Sequence, residues 1–261
     1  MDENLNQETI EKGLETSFIG RKIFAFHSLQ STNETAKQIA RNGAEEGSLV
    51  IAEVQTAGRG RHGRSWFSPE GGLWFSLILT PRIPPQRIPI LSLITALSVV
   101  EAIQKTVSLL STIRWPNDIL IREKKVCGIL SEYERGEEDK NLVIIGIGIN
   151  VNQSRFPPEL ERISTSLRLE LGRLVSRLFL LQEILLRFEE NYSTLLRGDA
   201  EDLLKKVIGF SSYMGRRVMV DLKEKVLEGE VIDLDEDGRL ILRLDNGLLQ
   251  RVTAGEARLV R

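Results

Sequence analysis

The run Gly58-Arg59-Gly60-Arg61-His62-Gly63-Arg64-Ser65-Trp66 decides how the rest of the chain is read. Three arginines and three glycines fall between Gly58 and Arg64, and no acidic residue lies between Glu53 and Glu70. The whole chain carries a formal net charge of only -2, so the positive field there is local. Glycine lets the backbone approach an anion closely. Arginine at alternate positions supplies forked donors matched to carboxylate or phosphate oxygens, and successive backbone N–H groups add a fixed partial positive charge. Such a loop grips anions and is expected to be mobile until something fills it. Taken alone, these residues leave a solvated loop and a nucleic-acid-binding patch open beside a small-molecule phosphate site.

The flanks favour a built site. Leu49-Val50-Ile51-Ala52 reads as a buried strand entering the loop. The turn Ser68-Pro69-Glu70-Gly71-Gly72 leads into a second strand-like run, Leu73-Trp74-Phe75-Ser76-Leu77-Ile78-Leu79. A loop between two core strands is held by a rigid scaffold.

The chain has 261 residues, enough for one large core and a small second domain. With 41% hydrophobic and 28% charged residues it has the composition of an ordinary soluble globular protein, and no strongly basic balance calls for nucleic acid. A single cysteine, Cys127, excludes an internal disulfide framework and fits a reducing compartment. With His27 and His62 the only histidines, no dedicated metal site is expected. The polar, acidic residues 1–15 do not form a signal peptide. The longest apolar stretch, Ile88 to Leu110, is interrupted by Ser92, Glu101, Gln104 and Lys105, and reads as a core helix rather than a membrane span. A cytoplasmic location is the expectation.

Several further segments carry two readings each. Residues 1–20 form a polar lead-in with a short helix from Glu8 to Thr16, and Arg21 to Phe26 alternates like a strand. Ser31-Thr32-Asn33-Glu34 has the form of a capping box; the same helix start also offers hydroxyl and amide groups to a polar, uncharged ligand head. Gln55 is either a solvated strand end or, pointing inward, a donor and acceptor for an amide-like ligand. Ile113-Arg114-Trp115-Pro116-Asn117-Asp118-Ile119-Leu120-Ile121 reads as strand, turn and strand. Lys124-Lys125 closes a solvent-facing hairpin, or else Lys125 heads a buried strand in which Gly128 marks a close approach. Leu142 to Asn150 is a strand too apolar for either face to meet water. Its Gly146-x-Gly148 lacks the third glycine and the helix of a dinucleotide fingerprint, and is expected to keep one face clear for a ligand.

A long amphipathic helix is expected from Val175 to Tyr192. After Phe210, short strands separated by Asp235-Glu236-Asp237-Gly238 and Asp245-Asn246-Gly247 suggest a small barrel. The expected organisation is a lead-in (1–20), a core domain (21–210) and a C-terminal barrel (211–261).

In this order, Ser31-Thr32-Asn33, the Gly58–Trp66 loop, Trp115-Pro116-Asn117-Asp118, Lys125-x-x-Gly128-Ile129-Leu130 and Gly146-x-Gly148-x-Asn150 resemble the biotin protein ligase family over nearly the whole chain from Gly20 onward. The resemblance implies an α+β fold: a mixed sheet covered by helices, as in class II aminoacyl-tRNA synthetases, followed by a small Src-homology-3-like barrel. It implies two half-reactions, in which biotin and ATP give biotinyl-5′-adenylate and a lysine of a biotin carboxyl carrier protein then takes the biotinyl group. By this likeness Ser31, Thr32, Asn33, Gln55, Arg59, Gly60, Arg61 and Lys125 hold biotin. Lys125, Arg61 and Arg59 are the catalytic set, and Arg61, Arg64, Trp66, Asn117 and Asn150 meet the nucleotide. Mg²⁺ is expected with the phosphates, and Asp118 or a backbone carbonyl is a candidate to deprotonate the acceptor amine.

His62 stands where some members carry another arginine, a modest change in a loop that keeps its other three. The family also implies a homodimer formed edge to edge. A lipoate–protein ligase is the nearest rival enzyme, but its Arg-Arg-x-Ser-Gly-Gly-Gly signature is absent. A binding-only phosphate protein is a further alternative. A biotin-sensing repressor is the rival from another class. About twenty residues ahead of Gly20 are too few for its winged helix, so a form without DNA binding or membrane attachment is expected.

Overall fold

The computed structural model describes residues 5–135, 141–222 and 225–260. Its elements, in chain order, are α1 (Gln7–Glu11), β1 (Ile23–Leu29), α2 (Thr32–Arg41), β2 (Leu49–Gln55), β3 (Leu73–Leu79) and α3 (Ile90–Val107). Then come β4 (Thr112–Arg114), β5 (Asp118–Ile121), β6 (Lys124–Arg135), β7 (Asn141–Ile149), α4 (Leu167–Leu171), α5 (Arg177–Leu196) and α6 (Ala200–Gly209). Five short strands close the chain: β8 (Arg217–Asp221), β9 (Val226–Leu234), β10 (Leu240–Arg243), β11 (Leu249–Val252) and β12 (Glu256–Leu259).

Among the described residues, seven strands form a mixed sheet in the order β1-β2-β3-β7-β6-β5-β4. The β1–β2 pair is parallel and the other pairs are antiparallel. Alternation sorts its two faces. Leu49, Ile51, Phe75, Leu77, Ile145 and Ile147 point to the side covered by α3, α5 and α6 and join one large core. Val50, Ile78 and Ile144 point the other way, where α2 covers them with Ala36. α2 caps only one end of that second face, and the uncovered remainder holds the site.

α3 is apolar nearly all round because most of it is buried between the sheet and α5 and α6, with only Gln104 and Lys105 of its last turn exposed. By length and composition the segment Pro85–Val107 could cross a membrane, but most of it is buried inside this fold. The helix expected over Glu8 to Thr16 is shorter. α1 ends at Glu11, and Gly13 turns the chain at φ 86° so that Leu14 and Ile19 reach the main core beside Ile10. Three backbone N–H groups of Ser17, Phe18 and Ile19 donate to the Glu189 carboxylate and pin this segment to α5.

The C-terminal strands form an antiparallel sheet in the order β11-β10-β9-β8-β12, as expected of a small Src-homology-3-like barrel. β12 was not anticipated, because Glu256-Ala257-Arg258-Leu259 lacks the β-branched and aromatic residues that mark a strand. It exists through pairing with β8 and through Tyr213, whose hydroxyl donates to the Ala257 carbonyl at 2.6 Å. Trp115 Nε1 donates to the Gly238 carbonyl at 3.1 Å, which seats the barrel against the end of the larger sheet.

Candidate active site

Glycines open two rows of residues on the uncovered face of the sheet. Register aligns Trp74, Gly148, Gly128 and Asp118 in one row, and Ser76, Gly146 and Leu130 in the next. Gly146 and Gly148 were expected to leave room for a ligand. Both line the cavity, and the chain packs closely over them: a Cβ at Gly146 would collide with the Asn33 amide, and one at Gly148 with the Trp66 ring. The glycines therefore set the positions of two cavity-lining side chains.

The polar floor comes from the start of α2. Ser31 occupies the N-cap position but its side chain makes no capping bond, so the capping-box reading is not realised. Gln55 serves instead: its Oε1 accepts from the Thr32 backbone N–H at 2.9 Å and from the Thr32 hydroxyl at 3.1 Å, while its Nε2 donates to Ser68 Oγ at 2.9 Å. The Asn33 amide is fixed at both ends. Its Nδ2 donates to Glu132 at 2.7 Å, and its Oδ1 lies 2.7 Å from Ser76 Oγ. Burial opposes ionisation of Glu132, but Lys37 and Asn33 outweigh it and hold the carboxyl below its usual range. Ser76 and Glu132 were missed in the sequence. A hydroxyl in the middle of the apolar run Leu73 to Leu79 was the available signal for Ser76.

The Gly58–Trp66 loop closes as a narrow hairpin. Trp66 N–H donates to Gly58 O at 2.8 Å, and Gly60 N–H to Arg64 O at 2.7 Å. His62 and Gly63, at φ 59° and 74°, make the left-handed tip. A Cβ on Gly58 would fall 2.5 Å from the Trp66 carbonyl and 2.6 Å from Ser68 Oγ, whereas at Gly60 the nearest atom is 3.5 Å away. Gly58→Ala should therefore destabilise the protein by about 1–3 kcal/mol and open the hairpin, while Gly60→Ala should change stability by less than about 0.5 kcal/mol. Thermal unfolding of the two variants checks this, and equal midpoints would contradict it.

Lys125 owes its place to a bulge. Residues three apart in a regular strand face opposite sides, but β5 pairs Ile119 with Cys127 and Leu120 with Lys125, leaving Val126 extra. That slip turns Lys125 to the same side as Gly128, where a Cβ would sit 3.1 Å from Nζ. The solvent-side hairpin reading thus applies to Lys124, which donates to Glu161 O, and not to Lys125. Lys125 Nζ lies 2.6 Å from Asp118 Oδ1 and 4.9 Å from the centroid of the Trp66 ring.

Each cation has a partner within the fold. Arg59 pairs with Glu34, Arg64 with Glu256 at 2.5 Å, and Arg61 donates to Asn117 Oδ1 at 2.9 Å. Burial lowers the Arg61 guanidinium from its usual value, and Arg64 adds to that against Asp118 and Glu256. Asp118 is buried between Lys125 and Arg114. Burial alone would raise its carboxyl, but the two cations outweigh it and hold it below the ordinary carboxylate range. Its stabilising effect is complete above the unfolded carboxylate value and is lost only as pH falls through the lower folded one. A carboxylate held this way is a poor base, so the structure does not favour Asp118 as acceptor of the incoming amine's proton.

Ser31, Thr32, Asn33, Gln55, Arg59, Gly60, Arg61, Arg64, Trp66, Asn117, Lys125 and Asn150 all line one cavity of about 980 Å³. Asn150 stands in its wall with Nδ2 donating to Thr165 O at 3.0 Å. Trp66 Nε1 is buried with no hydrogen-bond partner among the described residues; it packs over the bare Gly148, where a Cβ would fall 2.3 Å from it. Arg114, Gly255 and Glu256 also line the cavity and were not singled out beforehand, the last two because β12 itself was not legible.

Residues 25–150 match the biotin/lipoate A/B protein ligase family, and residues 213–260 match the biotin protein ligase C terminal domain. The chain is 40% identical over 247 residues to the bifunctional ligase/repressor BirA of Bacillus subtilis, across 94% of this chain and 76% of that one. It belongs to the biotin protein ligase family. Another relative is the biotin–[acetyl-CoA-carboxylase] ligase of Mycobacterium tuberculosis, 31% identical over 261 residues and matched over 94% of each chain. A biotin protein ligase of Aquifex aeolicus, solved in complex with biotin and ATP, superposes with a TM-score of 0.81 at 33% identity. That match covers 92% of this family member and 99% of the Aquifex chain.

Proposed function

We propose that the chain joins biotin to ATP as biotinyl-5′-adenylate and passes the biotinyl group to a lysine of a biotin carboxyl carrier protein. The observation that carries this reading is the meeting of Arg59, Arg61 and Lys125 with the uncharged polar floor of Thr32, Asn33 and Gln55 in one cavity. An uncharged ring with N–H and C=O groups suits that floor, and a carboxylate and a phosphate suit the cations. Family membership and the Aquifex complex with biotin and ATP support the same pair of substrates.

In the first step a biotin carboxylate oxygen bonds to the α-phosphorus of ATP as the bond to pyrophosphate breaks. The two anions repel, and charge gathers on the phosphorus oxygens. Lys125, Arg61 and Arg59 line the cavity in which that charge gathers, and cations there stabilise it. In the second step the carrier amine attacks the acyl carbon, the acyl–phosphate bond breaks and AMP leaves. The loop hairpin, with Trp66 beneath it, shields the mixed anhydride from water until the carrier arrives.

Among the described residues no group of three or more His, Cys, Asp or Glu side chains could hold a metal ion. Asp118, in the cavity wall, is engaged by Lys125 and Arg114. Mg²⁺ fits this reading as an ion that would arrive with the ATP phosphates and neutralise part of their charge.

The test is labelled biotin with ATP, Mg²⁺ and a purified carrier domain, followed by denaturing electrophoresis. Label on the carrier that requires ATP is expected. Binding of biotin without transfer, or transfer of lipoate in preference to biotin, would overturn the proposal.

A further inference from the structure

Lys125 has two demands on it. In the structure it is tied to Asp118, yet the reaction proposed above needs its ammonium at the substrate carboxylate. Asp118 lies opposite Gly128 in the β5–β6 register, and the bare glycine lets Lys125 reach across to Oδ1 at 2.6 Å. On its other side Asp118 faces Arg114 in the β4–β5 register, with Arg114 Nη2 2.5 Å from Oδ2. The carboxylate side chain is only 14% exposed. A buried carboxylate that loses its only counter-ion is strongly disfavoured, so a lone Lys125–Asp118 pair would resist opening. Among the described residues, the Arg114 guanidinium has no hydrogen-bond partner other than Asp118.

We infer that Arg114 is a positioning residue: it is the standing counter-ion of Asp118, and lets Lys125 leave that carboxylate for the substrate's without stranding a buried negative charge. This rests on the adenylation reading for its consequence and on the Arg114–Asp118–Lys125 geometry for its existence. Arg114 acts through Asp118 and Lys125 and touches no reacting atom.

The experiment uses the full chain with Arg114→Met, Arg114→Lys, Asp118→Asn and the Arg114→Met/Asp118→Asn double variant, read in two ways. The first is carbamylation of Lys125 by cyanate, followed by mass spectrometry of its peptide. With Arg114 gone, Asp118 has Lys125 as its one close counter-ion and holds it more tightly, and labelling should slow roughly three- to ten-fold. Loosening of the fold would speed labelling, so the sign separates the two. The double variant should label at least as fast as the wild type.

The second readout is biotin-dependent pyrophosphate exchange. Arg114→Met should lower it by about ten- to a hundred-fold, an effect on the order of losing one partner of a buried charge pair. Arg114→Lys should restore most of it, and the double variant should match Asp118→Asn alone. Wild-type labelling of Lys125 in Arg114→Met, or a double variant worse than both singles, would overturn the counter-ion role. A wild-type protein without exchange but with the slowed labelling in Arg114→Met would instead remove the adenylation reading and leave the counter-ion in place.

Discussion

Lys125→Ala is expected to reduce biotin-dependent pyrophosphate exchange by two to three orders of magnitude, about 2.7–4 kcal/mol of barrier, while the protein still folds. The catalytic half follows from position. Nζ sits over the Trp66 ring at 4.9 Å from its centroid and within the cavity that holds Arg59 and Arg61. Among the described residues no other lysine lines that cavity, and Arg59, Arg61 and Arg114 in its wall already have partners in Glu34, Asn117 and Asp118. The folding half follows from what Lys125 leaves behind. Removing one partner of a buried ion pair is usually costly because the other is stranded. Here Asp118 keeps Arg114 at 2.5 Å, so its charge stays compensated. The thermal midpoint should therefore fall by only a few degrees, roughly the effect of 1 kcal/mol in a chain of this size. Near-normal exchange in this variant would show that the lysine is not part of the chemistry.

Why Lys125 could be named from the sequence, and Arg114 could not, is a matter of local against long-range information. Lys-x-x-Gly is contiguous, and the glycine signals that something crosses it, although the bulge that makes the two residues face the same way shows only in the pairing with β5. Arg114 acquires its role only when β4, β5 and β6 are laid side by side, which no local pattern records. The same division holds elsewhere. The strands entering and leaving the Arg/Gly loop were legible as continuous apolar runs bounded by turn residues, and α5 by its helical period. The floor was half legible: Thr32, Asn33 and Gln55 could be named, but Glu132, which fixes the Asn33 amide, lies 99 positions away in sequence. Gly146 and Gly148 were legible as leaving space, and both line the cavity, but the packing of Asn33 and Trp66 over them is set by tertiary contacts. β12 was missed because its four residues have no strand propensity of their own and are held by pairing with β8.

The other large effect should come from the loop. Arg61→Ala is expected to speed dissociation of biotinyl-5′-adenylate by roughly a hundred-fold, about 2.7 kcal/mol. Arg61 is the arginine of the hairpin that faces inward. Its guanidinium donates to Asn117 Oδ1 at 2.9 Å on the larger sheet and lies 3.4 Å from Gly255 O beside β12, so it ties the loop to both walls of the cavity. A phosphate arriving between those walls would replace neutral carbonyl partners with a charged one, and charge-assisted bonds are roughly twice as strong as neutral ones. Arg64 provides the control. Its side chain is 63% exposed and pairs with Glu256 at the rim, where an ion pair is worth about 0–1 kcal/mol. Arg64→Ala should therefore change adenylate release by no more than about five-fold. Alanine at position 61 should also let water in beneath the hairpin, so adenylate hydrolysis without carrier should rise along with release. Preformed adenylate chased with excess unlabelled biotin and ATP measures both rates; if Arg61→Ala releases it no faster than the wild type, the loop does not grip the phosphate, and its arginines serve only to hold the hairpin against the sheet.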